Sequence, residues 1–386
     1  MAIKKVFILG NHIQALGLAR QVKQLNLPVT LFTSDKFSIS RFSNAVNKTV
    51  FFSHTKDLQN RLDEAYEGEK CILLFPTNDA MVDFLFSNHS LLHPKFYLGI
   101  PELDIVKTFY NKKNTHNFGL RINIPVPETF FPEKLEELND LAENLSYPTV
   151  LKPSVMHAFH KIFGKKAFKC NTKEELLTKA KEISERMPLA GIMVQEFLDG
   201  GAPSLYSYGT FAVAGRPVSS VIVNRIRQNP ITFGNSTTFA KTCFVPEIHN
   251  LAEKILHATS YTGMAEIEFM YDDKSRHYKF LEINTRAWKW HSISNGLGFS
   301  FLNNMVKYVN EEPMVYYADY HKKIAWVDRL TDFAVLLKGM SRKQISFKEV
   351  FKSYQLQKEY AVWSKKDTLP FFMYAILAPA LFFKRH

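Results

Sequence analysis

The chain has 386 residues, of which 46% are hydrophobic and 22% are charged, a composition that excludes collagen, an intrinsically disordered chain and a small disulfide scaffold. It carries 49 basic against 37 acidic residues, a net charge of +12, which favours polyanionic partners: nucleic acid, phosphorylated metabolites or an anionic membrane. Three cysteines without a CxxC pair argue against a structural zinc site and fit a reducing, cytoplasmic location.

The beginning of the chain alternates between strand and helix patterns. KVFILG, HIQALGLARQVKQL and PVTLF, within residues 5–33, predict strand, helix and strand, and CILLFPT at 71–77 predicts a further buried strand. This alternation predicts a parallel α/β domain over residues 1–105. Neither GxGxxG nor GxxxxGK[ST] occurs, so the sequence supports neither a Rossmann cofactor site nor a P-loop.

The middle of the chain predicts a different, α+β arrangement. The Lys-rich helix TFYNKKNTHNF precedes the extended NIPVPETFF, and YPTVLKPS, FGKKAFKC and GIMVQEFLDGG read as strands around one charged helix. These segments predict a small α+β unit over about residues 148–212. Strand candidates LYSYGTFAV and SSVIVNRIRQ follow it.

The segment at residues 265–286, AEIEFMYDDKSRHYKFLEINTR, predicts a hairpin with polar side chains on one face. Because side chains alternate along a strand, Glu266 and Glu268 share a face of the first strand, and Glu282, Asn284 and Arg286 share a face of the second. Carboxylates that converge need a cation, and Mg²⁺ bound through one or two carboxylates plus substrate phosphates is the usual solution. The alternative is a hairpin whose polar face simply meets water.

Four motifs together resemble the ATP-grasp superfamily and keep its order along the chain. EINTR at 282–286, preceded by Glu268, resembles the metal signature, while NKK at 111–113 and YPTVLKPS resemble the segments of the two phosphate-binding lysines. VQEFLDGG resembles the hinge that holds adenine. The resemblance covers about residues 1–310. Within the superfamily, the sequence most resembles the carboxylate–amine ligases, the group that includes D-aspartate ligase and related amino-acid ligases.

The resemblance implies an α/β protein of the ATP-grasp fold with an α+β lid. Its expected parts are an N-terminal parallel α/β (pre-ATP-grasp) domain at 1–105, an ATP-grasp domain at 106–312 with its lid at about 148–212, and a basic, apolar-ended helical extension at 313–386. The implied ligands are ATP and two Mg²⁺ ions, with Mn²⁺ as an alternative. The implied nucleotide and metal residues are Lys112, Lys152, Lys166, Gln195, Glu196, Leu198 and Asp199 for ATP, and Glu268, Glu282 and Asn284 for the metal.

On the substrate side, guanidinium groups suit phosphate and carboxylate through bidentate hydrogen bonds. Arg227 and Arg286 are expected to stabilise the transferred phosphoryl group. The expected substrate contacts are Arg225, Ser236, Thr237, Glu266, Trp288 and His291. The alternatives are an ordinary polar hairpin tip at 224–241 and core packing of the tryptophan and the histidine. One departure from the superfamily pattern is the missing acid after Gly200 and Gly201, where the ribose hydroxyls are usually bound.

The implied activity is ATP-dependent formation of a C–N bond between a carboxylate and an amine through an acyl phosphate. An amino acid is expected as one small-molecule substrate, and a cell-wall or cell-surface glycan precursor as a candidate for the other. The alternatives are an ATP-grasp carboxylase, a thiol ligase, or a non-catalytic nucleotide-binding protein at a membrane. No recognition helix, zinc knuckle or RNP-type strand occurs, so nucleic-acid binding is not predicted.

Residues 365–386, KKDTLPFFMYAILAPALFFKRH, place an apolar segment between basic pairs. Its 15 apolar-rich residues from Leu369 to Phe383 would span roughly 22 Å as a helix, short of the ~30 Å hydrocarbon core. The pattern therefore predicts peripheral attachment to the anionic inner face of the cell membrane. The alternative is a helix docked on the protein's own core.

Overall fold

The computed structural model describes residues 2–154, 159, 162–165, 167–231, 234, 236–317 and 321–385, with the backbone only for 380–385. Its internal contacts divide the chain into two units, each assembled from separate stretches. The first unit comprises 1–106, 201–267 and 284–386, and the second comprises 107–200 and 268–283.

The first hundred residues of the first unit form a parallel sheet with order β3-β2-β1-β4-β5. Its three central strands, Lys5–Leu9, Val29–Thr33 and Ile72–Pro76, are buried on both faces, as is usual in parallel sheets. The strands are β1 Lys5–Leu9, β2 Val29–Thr33, β3 Lys48–Phe51, β4 Ile72–Pro76 and β5 Tyr97–Leu98, and the helices are α1 His12–Gln24, α2 Thr55–Glu64, α3 Asp79–Ser87 and α4 His89–Leu92. The next helix, α5 Leu103–Tyr110, begins in the first unit and ends in the second. The strand–helix–strand predicted for 5–33 and the strand predicted for 71–77 are confirmed.

The second unit contains a four-stranded antiparallel sheet with order β6-β9-β7-β8. Its elements are α6 Lys112–Arg121, β6 Thr129–Phe130, α7 Leu135–Ala142, β7 Thr149–Pro153, β8 Phe168–Cys170, α8 Lys173–Ser184 and β9 Ile192–Glu196. Thr172 caps α8 by accepting a hydrogen bond from the backbone N–H of Glu175. The helices and the sheet enclose a core that includes Leu151, Phe168 and Ile183.

The rest of the chain builds the larger sheet of the first unit. Its strands are β10 Leu205–Val213, β11 Arg216–Asn229, β12 Ser236–Cys243, β13 Gly263–Asp272, β14 His277–Asn284, β15 Ile324–Val327 and β16 Gln357–Tyr360. Within the first unit the order is β13-β10-β11-β12-β15-β16. In the second unit, β13 continues from residue 268 and a turn at 273–276 joins it to its neighbour β14, which confirms the predicted hairpin.

The helices of this last part are α9 Pro246–Ala258, α10 Ile293–Leu297, α11 Phe301–Val309, α12 Arg329–Ser341, α13 Phe347–Tyr354 and α14 Leu369–Arg385. The C-terminal extension is therefore helical, as predicted, but it also supplies two strands to the sheet. β15 pairs with β12 in antiparallel fashion and β16 pairs with β15 in parallel. None of the helices in the described part of the chain is long and apolar enough to cross a bilayer.

The C-terminal extension is fastened to the N-terminal sheet layer of the first unit through Asp367. Arg20 of α1 donates from Nε to Asp367 Oδ2 at 2.9 Å, and Ser43 Oγ donates to the same oxygen at 2.6 Å. The backbone N–H of Asn44 donates to Asp367 Oδ1 at 3.0 Å. Asp367 and Tyr374 are both buried, so the beginning of the apolar segment docks on the protein itself.

Candidate active site

Two lysines flank one carboxylate in the second unit. Lys112 opens α6, and its backbone N–H donates to the carbonyl oxygen of Ser154 just after β7 at 3.1 Å, which places the helix beside the strand that carries Lys152. The Lys112 ammonium forms an ion pair with Glu282 of β14. Burial and the nearby Lys112 lower the pKa of Lys152 to about 8, and Glu282 opposes that shift. Two cations around one carboxylate suit a polyphosphate and its metal ion.

Glu196, which the sequence predicts at the adenine hinge, ends β9 and is held by protein partners. Its carboxylate pairs with Lys279 of β14 and accepts a hydrogen bond from the backbone N–H of Glu128 at 2.8 Å. Lys279 also pairs with Asp272 at 3.0 Å. Because the Glu196 side chain is engaged in this way, the backbone of residues 196–199 is the part of the hinge suited to contact a base.

The other expected nucleotide residues lie around this hinge. Gln195 donates from Nε2 to Thr129 Oγ1 at 2.7 Å, Leu198 is buried, and Asp199 accepts from the backbone N–H of Gly200 at 2.8 Å. Gly200 has φ 106°, a backbone conformation that favours glycine. Lys166 lies outside the described residues.

The expected metal ligands are oxygen donors on the β13–β14 hairpin. Glu282 and Asn284 are two residues apart in β14 and therefore share a face of the strand, and Glu268 lies on β13. The Asn284 amide oxygen accepts from Arg286 Nη2 at 3.0 Å, and its amide nitrogen donates to Glu266 at 2.9 Å. Carboxylate oxygens are ligands that Mg²⁺ prefers, so Glu268 and Glu282 of the second unit fit the ion.

Within the described ranges, no three His, Cys, Asp or Glu side chains are grouped as a ready-made metal cluster.

Arg286 lies at the carboxyl edge of the parallel sheet in the first unit. Its Nε and Nη2 donate to the two carboxylate oxygens of Asp79 at 2.6 and 3.3 Å, and Asp79 opens α3 directly after β4. The strand order reverses between β1 and β4. In open α/β sheets, ligands bind in the crevice outside the strand ends at such a reversal.

A cavity of about 100 Å³ lies at the same edge of the first unit. It is lined by residues 12–14 in the first turn of α1, by Ser236, by Lys289 and by Tyr374. The Lys289 ammonium donates to Ser236 Oγ at 2.9 Å and to the buried Asp328 at 2.8 Å. A helix N-terminus, an ammonium and a hydroxyl together suit the carboxylate of a small substrate.

Arg227 is engaged away from this cavity. Both guanidinium edges are satisfied: Nε and Nη2 donate to Asp332 of α12 at 2.8 Å each, and Nη1 donates to Ser353 at 3.0 Å. The side chain is 4% exposed. These contacts make Arg227 an anchor of the C-terminal extension and leave Arg286 as the arginine at the sheet edge. Arg225 is likewise buried.

Trp288 and His291 are part of the core of the first unit. Trp288 packs on Trp290 and Phe301, with ring centroids 5.3 and 5.1 Å apart. Burial lowers the pKa of His291 to about 4, so its ring is neutral, and it lies 3.2 Å from the carbonyl oxygen of Gln14. Their burial favours the core alternative over substrate contact.

Of the other expected substrate residues, some are buried in the protein and one lines the cavity. Glu266 is buried and accepts from Trp290 Nε1 at 2.6 Å, so it orders the tryptophan as well as Asn284. Thr237 is buried in the β11–β12 ladder opposite Gln228. Ser236 alone of these residues lines the cavity.

Sequence reasoning missed Lys289, Asp328, Asp79 and Lys279. The sequence did contain a signal for Asp79. It is the acidic residue that ends FPTND, directly after a buried strand, and parallel-sheet proteins place functional groups at such strand ends. Lys289 stands between two tryptophans in AWKWH, and a lysine in so apolar a segment requires a partner. Asp328 and Lys279 carry no comparable sequence signal.

The sequence is similar to a known family model and to a known ligase. Residues 220–314 match the family model described as carbamoyl-phosphate synthase L chain, ATP binding domain. D-aspartate ligase from Enterococcus faecium (strain Aus0004) is 22% identical over 324 residues, which cover 79% of this chain and 75% of that protein.

Solved structures share the fold at lower identity. The biotin carboxylase domain of Hydrogenobacter thermophilus 2-oxoglutarate carboxylase, bound to MgADP, ADP and bicarbonate, has a TM-score of 0.64 and 16% identity, over 82% of this chain and 72% of that one. The L-amino acid ligase from Bacillus licheniformis has a TM-score of 0.60 and 15% identity, over 80% of this chain and 74% of that one.

Proposed function

We propose that this chain, a member of the ATP-grasp superfamily, is an ATP-dependent carboxylate–amine ligase with an amino acid as one substrate. The observation that carries the proposal is the grouping of Lys112, Lys152 and Glu282 in the second unit. Three residues from three separate motifs converge there as two cations and one carboxylate. That is the charge pattern needed to hold a nucleotide polyphosphate together with a divalent ion.

The nucleotide side of the reaction uses residues of the second unit. Lys112 and Lys152 neutralise the phosphates, and the backbone of residues 196–199 contacts adenine. Glu268 and Glu282 would hold Mg²⁺, either one ion or two, with Mn²⁺ as an alternative, and the bound metal would supply charge neutralisation on the transferred phosphoryl group. Positioning and charge neutralisation are the main protein contributions to such a transfer.

The chemistry has two balanced steps. A carboxylate oxygen of the first substrate forms a bond to the γ-phosphorus as the bond to ADP breaks, giving an acyl phosphate. The amine nitrogen of the second substrate then attacks the acyl carbon, phosphate leaves with the bonding electron pair, and the departing phosphate takes up the proton that the nitrogen loses as the amide forms. Arg286 is the arginine proposed to stabilise the negative charge that moves in both steps.

The cavity in the first unit supports a substrate with a small carboxylate. Lys289 donates to Ser236 and, with the N-terminal turn of α1, offers positive potential to an anion. The neighbouring Asp328 balances the lysine charge, so the pair also tolerates the ammonium of a zwitterion. These features favour an amino acid over a larger or uncharged molecule.

The finer proposal concerns the second substrate, a cell-wall or cell-surface glycan precursor reached at the cytoplasmic face of the membrane. Residues 365–386 would contribute the membrane contact through the exposed apolar side chains Leu369, Phe372 and Ile376 of α14. Deletion of the segment is a poor test because it removes the Asp367 anchor. Phe372→Glu leaves the anchor in place and should lower the share of the protein that is found in the membrane fraction of cells.

A substrate screen tests the ligase proposal. Amino acids are combined pairwise with carboxylates in the presence of ATP and Mg²⁺, phosphate release is measured, and products are identified by mass spectrometry. We expect release that needs both an amine and a carboxylate, and an amide product. Release stimulated by bicarbonate alone, or by a thiol acceptor, would replace the proposal by a carboxylase or a thiol ligase.

Glu282→Gln provides the matched site variant for this screen. It keeps the side-chain size and removes the charge that Lys112 and the metal require, so phosphate release should fall by at least 1,000-fold, about 4 kcal/mol of lost stabilisation. Glu64→Gln makes the same chemical change on the exposed surface of α2 and should leave the rate unchanged. Full activity of Glu282→Gln would remove the basis of the proposal.

A further inference from the structure

The helices α12 and α13 of the C-terminal extension each expose an apolar pair that the ligase proposal does not use. Phe333 and Leu337 on α12 are 61% and 57% exposed, and Phe347 and Phe351 on α13 are 78% and 67% exposed. Each pair is spaced i, i+4, so its members lie side by side on one helix face. Large apolar side chains exposed in such clusters mark interaction surfaces.

Both exposed pairs point away from the same buried side chain, Arg227. Asp332 of α12 and Ser353 of α13 both bind the Arg227 guanidinium, which fixes the inward side of each helix. At about 100° per residue, Leu337 lies about 140° from Asp332 around α12, and Phe351 lies about 200° from Ser353 around α13. The exposed pairs are therefore held outward by buried polar bonds.

The surroundings of these pairs are basic. Residues 338–352 contain Lys338, Arg342, Lys343, Lys348 and Lys352 against the single acid Glu349, 5 − 1 = +4. The Glu349 carboxylate caps the N-terminus of α13, because it accepts hydrogen bonds from the Ser346 backbone N–H at 2.7 Å and from the Ser346 hydroxyl at 2.8 Å. Among the described residues, none of the five basic side chains forms an ion pair.

We propose that the outward face of α12 and α13 is a docking surface for an anionic lipid bilayer. Aromatic side chains enter the interface between headgroups and acyl chains, and the flanking lysines and arginines contact the anionic headgroups. The charge pattern decides the occupant. A second copy of the chain would bring another +4 surface against this one, whereas an anionic leaflet neutralises it. The proposal stands apart from the contact of α14 and from ligase activity.

Vesicle binding of the full chain tests the proposal. Purified protein is sedimented with vesicles of phosphatidylcholine alone, or with about 30% phosphatidylglycerol added, at low and at high NaCl. We expect at least tenfold stronger binding to the anionic vesicles, lost at about 0.5 M salt. Phe347→Glu/Phe351→Glu should weaken that binding at least tenfold. Leu91→Glu/Tyr316→Glu, which places the same charges at exposed apolar positions elsewhere, should bind like the unchanged protein.

A second variant keeps the test decisive if the aromatic replacements disturb folding. Lys348→Gln/Lys352→Gln preserves helix propensity and apolar surface and should weaken binding to anionic vesicles at least threefold while the circular dichroism melt is unchanged. Equal binding to neutral and anionic vesicles, or no binding, overturns the proposal. So does a dimer in analytical ultracentrifugation that Phe347→Glu/Phe351→Glu dissociates, because a second copy would then be the occupant.

Discussion

The guanidinium of Arg227 and the carboxylate of Asp332 are joined by two parallel hydrogen bonds of 2.8 Å, with Asp332 fully buried. Thr238 donates to the same carboxylate at 2.9 Å and Tyr354 at 3.2 Å. The pair links β11 to α12. Arg227, which the sequence predicted to act in phosphoryl transfer, therefore fixes the C-terminal extension to the sheet.

Removal of Asp332 should destabilise the protein strongly. Asp332→Ala leaves a buried guanidinium without its counter-ion, a change that typically costs about 3–5 kcal/mol. The midpoint of thermal unfolding should fall clearly below that of the unchanged protein. Asp83→Ala, at an exposed position of α3, should shift stability by no more than about 0.5 kcal/mol. Equal midpoints for the two variants would contradict the anchoring role.

Nucleotide binding should weaken as pH rises through about 8. The pKa of Lys152 is lowered to about 8, so the free protein loses this positive charge above that pH, and bound phosphates favour the charged form. We expect the affinity for MgADP to fall by roughly tenfold between pH 7 and 9.5, since one pKa unit corresponds to about 1.4 kcal/mol. Calorimetric titration across this range measures the effect.

Lys152→Arg is the control for this pH dependence. Arginine stays charged throughout the range, so the variant should show a flatter pH profile, whatever its affinity at pH 7. Identical profiles for lysine and arginine would assign the pH effect to another group.

Lys289 should affect substrate recognition without affecting nucleotide affinity. Lys289→Met removes a charge-assisted donor of about 1.5–3 kcal/mol, so the KM for the carboxylate-bearing substrate should rise roughly 10- to 100-fold while the Kd for MgADP is unchanged. Lys56→Met, on the exposed face of α2, serves as the matched control.

The same substitution leaves Asp328 buried without its cation, so the double variant Lys289→Met/Asp328→Asn separates recognition from folding. It should recover thermal stability but keep the raised KM. A double variant with the original KM would show that Lys289 acts only as a structural partner.

Stability should also depend on pH through Glu359. Burial raises the pKa of this β16 carboxyl to about 7, above its ordinary value of 4.5. The folded protein thus holds a proton that the unfolded chain releases between pH 4.5 and 7, and the free energy of unfolding falls as pH rises through that window. Glu359→Gln should remove the dependence and stabilise the protein at pH 8 by up to about 3 kcal/mol. A variant that keeps the same slope between pH 5 and 8 would assign it to other groups.

The ATP-grasp fold implied by four motifs is confirmed, and local patterns located the strands and helices that carry them. VFIL, ILLF and the hairpin at 265–286 are long or apolar enough to define strands by themselves. β16 could not be predicted in this way. Its sequence, QKEY, is polar and only 4 residues long, and it becomes a strand because the edge of β15 is available to pair with it.

Candidate site residues could be predicted from the sequence where a motif requires one residue type, as with Lys112 and Glu282. They could not be predicted where neighbours decide the role. Arg227 and Arg286 look alike in sequence, and only the positions of Asp332 and Asp79 distinguish an anchor from a side chain at the sheet edge. Likewise, AWKWH indicates that Lys289 needs a polar partner, but it does not indicate that this lysine lines a cavity while Trp288 is buried.

The pairing of β15 with β12 has a consequence for synthesis of the chain. On the ribosome, residues 236–243 emerge some 80 residues before β15, the strand that later pairs with their free edge. The backbone N–H of Ile324 in β15 donates to Thr242 Oγ1, and these two residues are 82 positions apart in the sequence. Until then β12 is an open edge, which is prone to pairing with other chains. Nascent chains stalled before residue 324 should therefore be the species most dependent on chaperones.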